Sequence, residues 1–191
     1  MPSISLNTAI SITGLSRRTL WRRISEGCVS TLDTHEPGVE TRVSLDDVLP
    51  LSCLPLQPDD HAVIVDADAG DAVAQCDVAL MWLAAGRADD AVPWLVRSAK
   101  QHYPDAMCYL GRLCLSGEGI ARDRDAGLMW LSHAAVKRHV LAPSLLAFLQ
   151  SAEGQSCCQA DDPSALNAAL DDVERQILLN LADTADGSDR L

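Results

Sequence analysis

The sequence of 191 residues has few aromatic residues, no excess of positive charge and no long apolar run. Aromatic residues make up 4% of the chain, yet hydrophobic residues make up 48%, which is enough for a packed interior. No stretch approaches the roughly 18 consecutive apolar residues of a membrane span. The N-terminus also lacks the basic-then-apolar pattern of a signal peptide. We therefore expect a cytoplasmic protein without a membrane partner.

The sequence also lacks the residue patterns that disulfides, metal sites and catalytic sites require. The seven cysteines form no C-x-x-C pair and no evenly spaced framework, which favours reduced thiols. The five histidines lie far apart, and no phosphate-binding loop, dinucleotide-binding glycine pattern, nucleophile elbow or catalytic carboxylate pair is present. We therefore expect no metal, no cofactor and no enzymatic activity. Cys157 and Cys158 are predicted to lie in a polar loop, where a tolerated pair is favoured over a redox-sensing one.

Charge is unevenly distributed along the chain, whose formal net charge is −12. Residues 1–50 contain five arginines and six acidic residues, and four of the arginines fall between Arg17 and Arg23. Residues 51–191 contain ten basic and 21 acidic residues. A local cluster can still bind phosphates, because each contact releases condensed counterions whatever the distant charges do. The sequence thus predicts a nearly neutral head with one basic stripe, followed by an acidic body.

Capping and turn residues in the head predict two short helices. Ser5 is expected to cap a first helix, which Gly14 ends. Ser16 is expected to cap a second helix, which stops at Gly27. Two short helices joined by a glycine turn are typical of a helix-turn-helix.

The second helix is predicted to be amphipathic. Its apolar residues Leu20, Trp21 and Ile24 fall on one side of a helical wheel and are expected to face inward. The opposite side carries Arg18, Thr19, Arg22 and Arg23. Beyond this helix, residues 29–32 and 41–43 are predicted strands, joined by a hairpin loop over 33–40 and followed by a brief helix over 45–49.

The run from Ile12 to Gly27, together with Arg42 to Leu49, resembles the MerR/excisionase-type winged helix-turn-helix. In that family the second helix lies in the major groove and the wing touches the flanking backbone, so the resemblance implies double-stranded DNA as a partner. The same resemblance implies roles by position. Phosphates would be anchored by Ser16, Arg17 and Thr19, base edges would be reached by Arg18 and Arg22, and the DNA backbone would be contacted by Arg23 and Arg42.

Residues 70–150 repeat internally. Ala74, Ala106 and Ala142 each begin a similar helix, and Trp94 and Trp130 stand 36 residues apart. Small residues at the crossing positions let paired helices approach closely. The middle unit, residues 106–135, closely resembles the Sel-1-like repeat, a relative of the tetratricopeptide repeat. That family forms a superhelix of helix pairs that serves as a protein-binding scaffold without catalytic residues, so the resemblance implies a protein partner.

A final helix is predicted after Asp162, with Pro163 at its first position. Its apolar stripe favours a helix that caps the open end of the repeats, and the alternative is a short coiled-coil seam in a homodimer. Residues 184–191 are predicted to form a disordered acidic tail.

Together these patterns predict a mainly α protein of two parts. A small winged helix-turn-helix domain over 1–50 is followed by a Pro/Asp-rich linker over 51–69, because three prolines from Pro50 to Pro58 discourage helix. About two and a half Sel-1-like helix-pair repeats with a C-terminal capping helix occupy 70–183.

The predicted function is that of a bacterial-type, DNA-binding transcriptional regulator whose repeat domain mediates protein–protein interaction or self-association. A single small head binds DNA weakly, so a homodimer or a recruiting partner is expected. One alternative is an adaptor that controls another regulator without binding DNA. A second alternative, an architectural recombination factor, is disfavoured by the acidic body.

Overall fold

The computed structural model describes residues 2–32, 41–160 and 162–188, and these residues are mainly helical. The chain divides into two compact units, residues 1–94 and residues 95–191. Unit 1 contains β1 (Ser3–Ser5), α1 (Leu6–Thr13), α2 (Arg17–Ser25), β2 (Arg42–Ser44), α3 (Leu45–Val48), a short 3-10 turn (Leu49–Leu51), α4 (Asp60–Ala69) and α5 (Ala72–Ala84). The boundary between the units falls inside α6 (Ala88–Lys100). Unit 2 contains α7 (Pro104–Ser116), α8 (Arg124–Val136), α9 (Ala142–Gln150), α10 (Ala152–Gln159) and α11 (Pro163–Ser188).

The predicted caps of the first two helices are confirmed. The Ser5 side chain accepts a hydrogen bond from the backbone N–H of Thr8, at 3.2 Å, and Gly14 ends α1 with a φ of +65°. The Ser16 side chain accepts from the backbone N–H of Thr19, at 3.1 Å. These side chains satisfy backbone groups that the helix itself leaves unpaired, which is why the sequence marks both helix starts so clearly.

Three extended segments pack beside these helices. β1 pairs antiparallel with β2, with Ile4 opposite Val43, and this first strand is absent from the sequence-based prediction. On the other edge of β2, the backbone N–H of Leu32 donates to the carbonyl of Arg42, at 3.0 Å, so the two predicted hairpin arms are paired. The predicted hairpin loop over 33–40 lies outside the described residues.

The prediction of a linker over 51–69 is wrong for its second half. Residues Asp60–Ala69 form α4, which buries Ile64 and Ala67 and packs against β1 and α5. Proline disfavours helix in the residues just before it but not in those that follow, and the last proline of the run is Pro58. Beyond that residue the chain is free to form a helix, and the two buried side chains at i and i+3 hold it in place.

Unit 1 therefore extends well beyond the predicted head. Trp94 is 1% exposed, and its indole Nε1 donates a hydrogen bond to the hydroxyl of Ser11 in α1, at 2.9 Å. The residues predicted as a linker and as the first repeat helix thus belong to the same compact unit as α1 and α2, and the expected boundaries at 50 and 70 do not coincide with the observed division.

In unit 2, α7 and α8 cross at two glycines. A Cβ atom placed on Gly111 would lie 3.0 Å from the carbonyl oxygen of Gly127, and one placed on Gly127 would lie 2.6 Å from Cγ of Leu115. Only glycine allows the two backbones to approach this closely. The expected role of small residues at the helix crossing is confirmed for this pair.

Helix α11 is anchored through its first half. Leu166 and Leu170 of the predicted stripe are buried, and Arg112 of α7 forms ion pairs with Asp171 and, at 2.8 Å, with Glu174. The structure describes α11 as far as Ser188, and residues 189–191 lie outside the described residues, so the disordered acidic tail over 184–191 stays a prediction.

His139 caps α9 with its imidazole ring, and this gives a pH-dependent stability. Its Nδ1 accepts hydrogen bonds from the backbone N–H groups of Leu141, at 3.2 Å, and Ala142, at 3.1 Å. Burial lowers the pKa of His139 below its usual value of 6.5, against the opposing charges of Asp105 and Glu174. A protonated Nδ1 could not accept these bonds.

Because the folded protein binds this proton less readily than the unfolded chain, the contribution is complete above pH 6.5 and is lost as the pH falls through the lowered pKa. We expect thermal unfolding to reveal a loss of about 1 kcal/mol on acidification, the usual value of a helix cap. The variant His139→Asn keeps an acceptor that does not titrate and should lose less. Equal acid sensitivity of both proteins would contradict this account.

Candidate nucleic-acid interface

The second helix of unit 1 is held by one deeply buried residue. Leu20 is 0% exposed, and it is the buried residue of α2. Ser16 at the helix start is exposed, but its hydroxyl lies 2.9 Å from the Thr19 hydroxyl, so both side chains serve the cap. The backbone N–H groups at this end still carry the positive pole of the helix, which favours a phosphate.

One face of α2 exposes three arginines and a tryptophan, Arg17, Arg18, Trp21 and Arg22, which we call the arginine face. Residues 17 and 21, like residues 18 and 22, are one turn apart and lie side by side on the helix. The prediction that Trp21 faces inward is wrong, since Trp21 is 44% exposed. At about 100° per residue, Trp21 lies only about 40° from Arg17 on the helical wheel, a signal that the sequence contained.

The arginines of this face are only lightly engaged. Arg17 donates to the side-chain oxygen of Asn7, at 2.6 Å, and Arg22 lies 3.7 Å from the carboxylate of Glu26. Among the residues that the structure describes, none forms an ion pair with Arg18. Exposed pairs of this kind contribute about 0–1 kcal/mol, so a phosphate can displace them at little cost.

Arg23 does not belong to the arginine face. It is half-buried, and its Nε atom is buried without a hydrogen-bond partner among the described residues. Contact of Arg23 with the DNA backbone stays a prediction.

Arg42 is held by a buried carboxylate. Its guanidinium lies 2.9 Å from Oδ2 of Asp68 in α4 and donates, at 2.7 Å, to the carbonyl of Ser3. The same Oδ2 accepts from the backbone N–H of Ser5, at 3.0 Å. Arg42 thus joins β1 and β2 to α4, a structural role that sequence reasoning missed because the pattern around Asp68 predicts an extended linker.

Burial alone would raise the pKa of Asp68, but hydrogen bonds from Ser5 and Thr8 and the charge of Arg42 hold that pKa below its usual value. The carboxylate is therefore ionised at neutral pH. With its charge already paired, Arg42 has less to offer a phosphate than the arginines of the arginine face.

A second carboxylate lies beside the strands. Asp47 of α3 accepts a hydrogen bond from the backbone N–H of Ser30, at 2.8 Å, and this bond lowers the pKa of Asp47. An ionised carboxylate here repels phosphates. Within unit 1, the exposed arginines described above are thus concentrated on α2.

Comparison with known proteins gives partial similarity to solved structures. No protein-family model matches the sequence, and no curated protein matches it. A solved structure of a Sel1 repeat protein from Oxalobacter formigenes is similar to it. The two share 31% identity over 50% of this chain and 30% of that chain, with a TM-score of 0.43. The chain therefore spans less than a third of the length of that Sel1 repeat protein.

The described residues contain no group of three or more His, Cys, Asp or Glu side chains that could hold a metal ion. No helix in the described part of the chain is long and apolar enough to cross a membrane. The predicted polar loop around Cys157 and Cys158 is instead helix α10, where both side chains are half-buried.

Proposed function

We propose that this protein is a DNA-binding regulator, in which α1 and α2 form a helix-turn-helix with the paired strands as its wing. The observation that carries the proposal is the arginine face. Three exposed arginines follow a helix N-terminus on a short, well-capped helix, and no described residue pairs with Arg18. The major groove of DNA admits one α-helix, and arginine is the side chain that most often contacts guanine there.

In this proposal each side chain has a position-dependent role. Arg17 and the backbone N–H groups beside Ser16 bind phosphates at the start of α2. Arg18 and Arg22, which are neighbours on one face, reach the base edges. Trp21, which lies between them and Arg17, supplies an apolar surface for thymine methyl groups or sugars.

The proposal is tested by selecting genomic DNA fragments on the purified protein and comparing wild type with Arg18→Ala/Arg22→Ala. We expect wild type to enrich a shared motif and the double variant to lose it, with an affinity at least about 30-fold lower, since each arginine–base contact contributes about 1–3 kcal/mol. The affinity of wild type for DNA should also fall steeply with salt, because the slope of log affinity against log salt is about −0.9 for each phosphate that the protein neutralises.

A matched control is Arg124→Ala/Arg175→Ala, which removes two exposed arginines from α8 and α11 and changes the net charge equally. This control should keep the motif and the affinity. If wild type enriches no sequence at moderate salt, or if both double variants behave alike, the DNA-binding proposal fails.

The exposed Trp21 also favours a second candidate, an adaptor whose arginine face binds an acidic protein. Tryptophan and arginine are the residues most often found at the centre of protein–protein interfaces. The variant Trp21→Ala separates the two candidates, because a protein interface should lose more than tenfold in affinity at such a residue. A DNA complex anchored by arginines should lose less than Arg18→Ala/Arg22→Ala.

For unit 2 we propose a protein-interaction function. The support is the Sel-1-like sequence pattern of residues 106–135 together with the close packing of α7 on α8, α8 on α9 and α11 on α7 and α9. Stacked helix pairs of this kind present extended surfaces that bind other proteins.

If the protein binds DNA as a dimer, its two heads would lie on half-sites one helical turn apart. The spacing of half-sites in the selected DNA motif would reveal this directly.

A further inference from the structure

Unit 2 contains an apolar cleft with a basic rim. The cleft has a volume of about 190 Å³ and is lined by His102, Met107, His133, Val136 and Lys137. Met107 is 1% exposed and forms the floor, whereas Val136 is 80% exposed and stands at the edge. The side chain of Val136 is thus available to pack against an apolar group of a partner.

The two chain segments that form the cleft contain no acidic residue over long stretches. No Asp or Glu occurs between Asp90 and Asp105 or between Asp125 and Glu153, although the whole chain contains 27 of them. The acidic residue Asp105 follows the first stretch, and its carboxylate is engaged by the Tyr103 hydroxyl, at 3.0 Å, and by His139, at 3.4 Å. No acidic residue is among those that line the cleft, whereas Lys137 is, so the lining is basic in a protein with a net charge of −12.

Backbone strain marks the same rim. His102 follows α6 and Arg138 follows α8, each with a φ of +66°, and the two stand 36 residues apart at equivalent positions of successive repeats. Glycine is the usual residue in this left-handed conformation at the end of a helix. Two residues with basic side chains instead occupy strained positions beside the cleft, and strain of this kind is concentrated at functional sites.

We propose that this cleft binds an acidic peptide segment of a partner protein, with one apolar side chain of that segment inserted between Val136 and Met107. The inference rests on the proposed protein-interaction function of unit 2 and names its partner chemistry. The cleft is smaller than the roughly 300–1,000 Å³ of pockets that enclose small ligands, so it suits one anchoring side chain of a longer peptide. Lys137, His102 and His133 then face the carboxylates beside that anchor.

An acidic peptide fits this site better than a nucleic acid does. The walls made by Val136 and Met107 provide no hydrogen bonds for base edges. An aliphatic or aromatic side chain flanked by carboxylates matches both the walls and the rim.

The test is a selection of random linear peptides displayed on phage, carried out on the full chain. We expect the enriched peptides to combine Asp or Glu with a Leu, Met, Phe or Trp anchor. An enriched peptide, labelled with fluorescein, then serves as the probe in fluorescence anisotropy. Binding should fall at least about tenfold in Val136→Asp and in Lys137→Glu, as expected at the centre of an interface.

Matched controls are Leu178→Asp and Arg175→Glu on α11, which introduce the same charges at exposed positions and should leave binding within about twofold of wild type. Selected peptides that bind Val136→Asp and Lys137→Glu as tightly as wild type would overturn the assignment of the binding site to the cleft. Unit 2 would then remain a peptide-binding unit. Failure to select any acidic peptide with an apolar anchor would overturn both the assignment of the cleft and the peptide-binding function of unit 2. Displacement of the probe from wild type, but not from Lys137→Glu, by a short DNA duplex would assign the cleft to nucleic acid instead.

His102→Gly separates a binding role from a purely structural one. Relief of the left-handed strain should raise the Tm by about 2–4 °C, while loss of the imidazole weakens binding of the peptide probe. A variant that is more stable than wild type and binds the probe equally well would overturn the assignment of His102 to the site.

Discussion

Replacing Asp68 by asparagine is expected to lower the free energy of unfolding by about 3 kcal/mol, as removal of a buried charged acceptor usually does. The side chain of Asp68 is 1% exposed, and its carboxylate receives the guanidinium of Arg42 and the backbone N–H of Ser5. An asparagine has the same size but no charge, and its amide group can turn an N–H toward donors. The guanidinium of Arg42 then loses its only described ion pair.

The same variant should change the response to acid. Because the pKa of Asp68 is lowered in the folded protein, its contribution to stability is complete above its usual pKa of 3.8 and is lost as the pH falls below that value. Urea unfolding of both proteins at neutral pH and in acid measures this directly. The stability difference between wild type and Asp68→Asn should narrow in acid.

Asp66→Asn is the matched control, since Asp66 is an exposed residue of the same helix. This variant should change stability by no more than about 0.5 kcal/mol, as exposed substitutions usually do. If Asp68→Asn and Asp66→Asn were equally stable, the ion pair between Arg42 and Asp68 would have no role in holding α4 to the strands.

Gly154→Ala is expected to destabilise unit 2 by about 3 kcal/mol, the upper range for forcing an extra group into a packed site. A Cβ atom at this position would overlap the carbonyl oxygen of Phe148 and would lie 2.9 Å from Cα of Leu149. These atoms are backbone, so no side chain can rotate away. Helix α10 would have to move off α9, on which it packs.

The control for this prediction is Glu153→Ala, an exposed neighbour in the same helix. Alanine favours helix by about 1 kcal/mol over glycine, so propensity alone would make Gly154→Ala the more stable protein. Thermal unfolding therefore distinguishes the two effects by sign. A Tm of Gly154→Ala at or above that of wild type would show that α10 does not require the close approach.

Local features of the fold could be predicted from the sequence, and long-range ones could not. Ser5, Gly14 and Ser16 act on backbone groups only a few residues away. Their caps and turns can therefore be predicted from the neighbouring residues. The partnership of Arg42 with Asp68 joins residues 26 positions apart through the fold, and no local pattern indicates it.

Gly154 illustrates a second limit. A glycine among polar residues indicates either a turn or a close approach of two backbones, and the sequence does not distinguish the two. The polar residues around Gly154 therefore predict a loop, whereas the segment is the helix that contains Cys157 and Cys158. The candidate interface shows the converse case. Its arginines can be placed on one face of α2 from their spacing alone. The apolar side chain of Trp21 predicts a buried position, whereas on the helical wheel this residue falls close to Arg17, and it is exposed.

The position of the unit boundary inside α6 determines which mutant alleles can separate the functions of this protein. A nonsense mutation just after residue 50 would remove both Asp68 and Trp94, which hold the strands and α1 from the C-terminal side. The phenotype of such an allele would report misfolding of the N-terminal unit and not the loss of a partner. Missense alleles on exposed surfaces, at Arg18 and Arg22 on one unit or at Val136 and Lys137 on the other, leave these contacts in place and are the ones that can separate the two proposed functions.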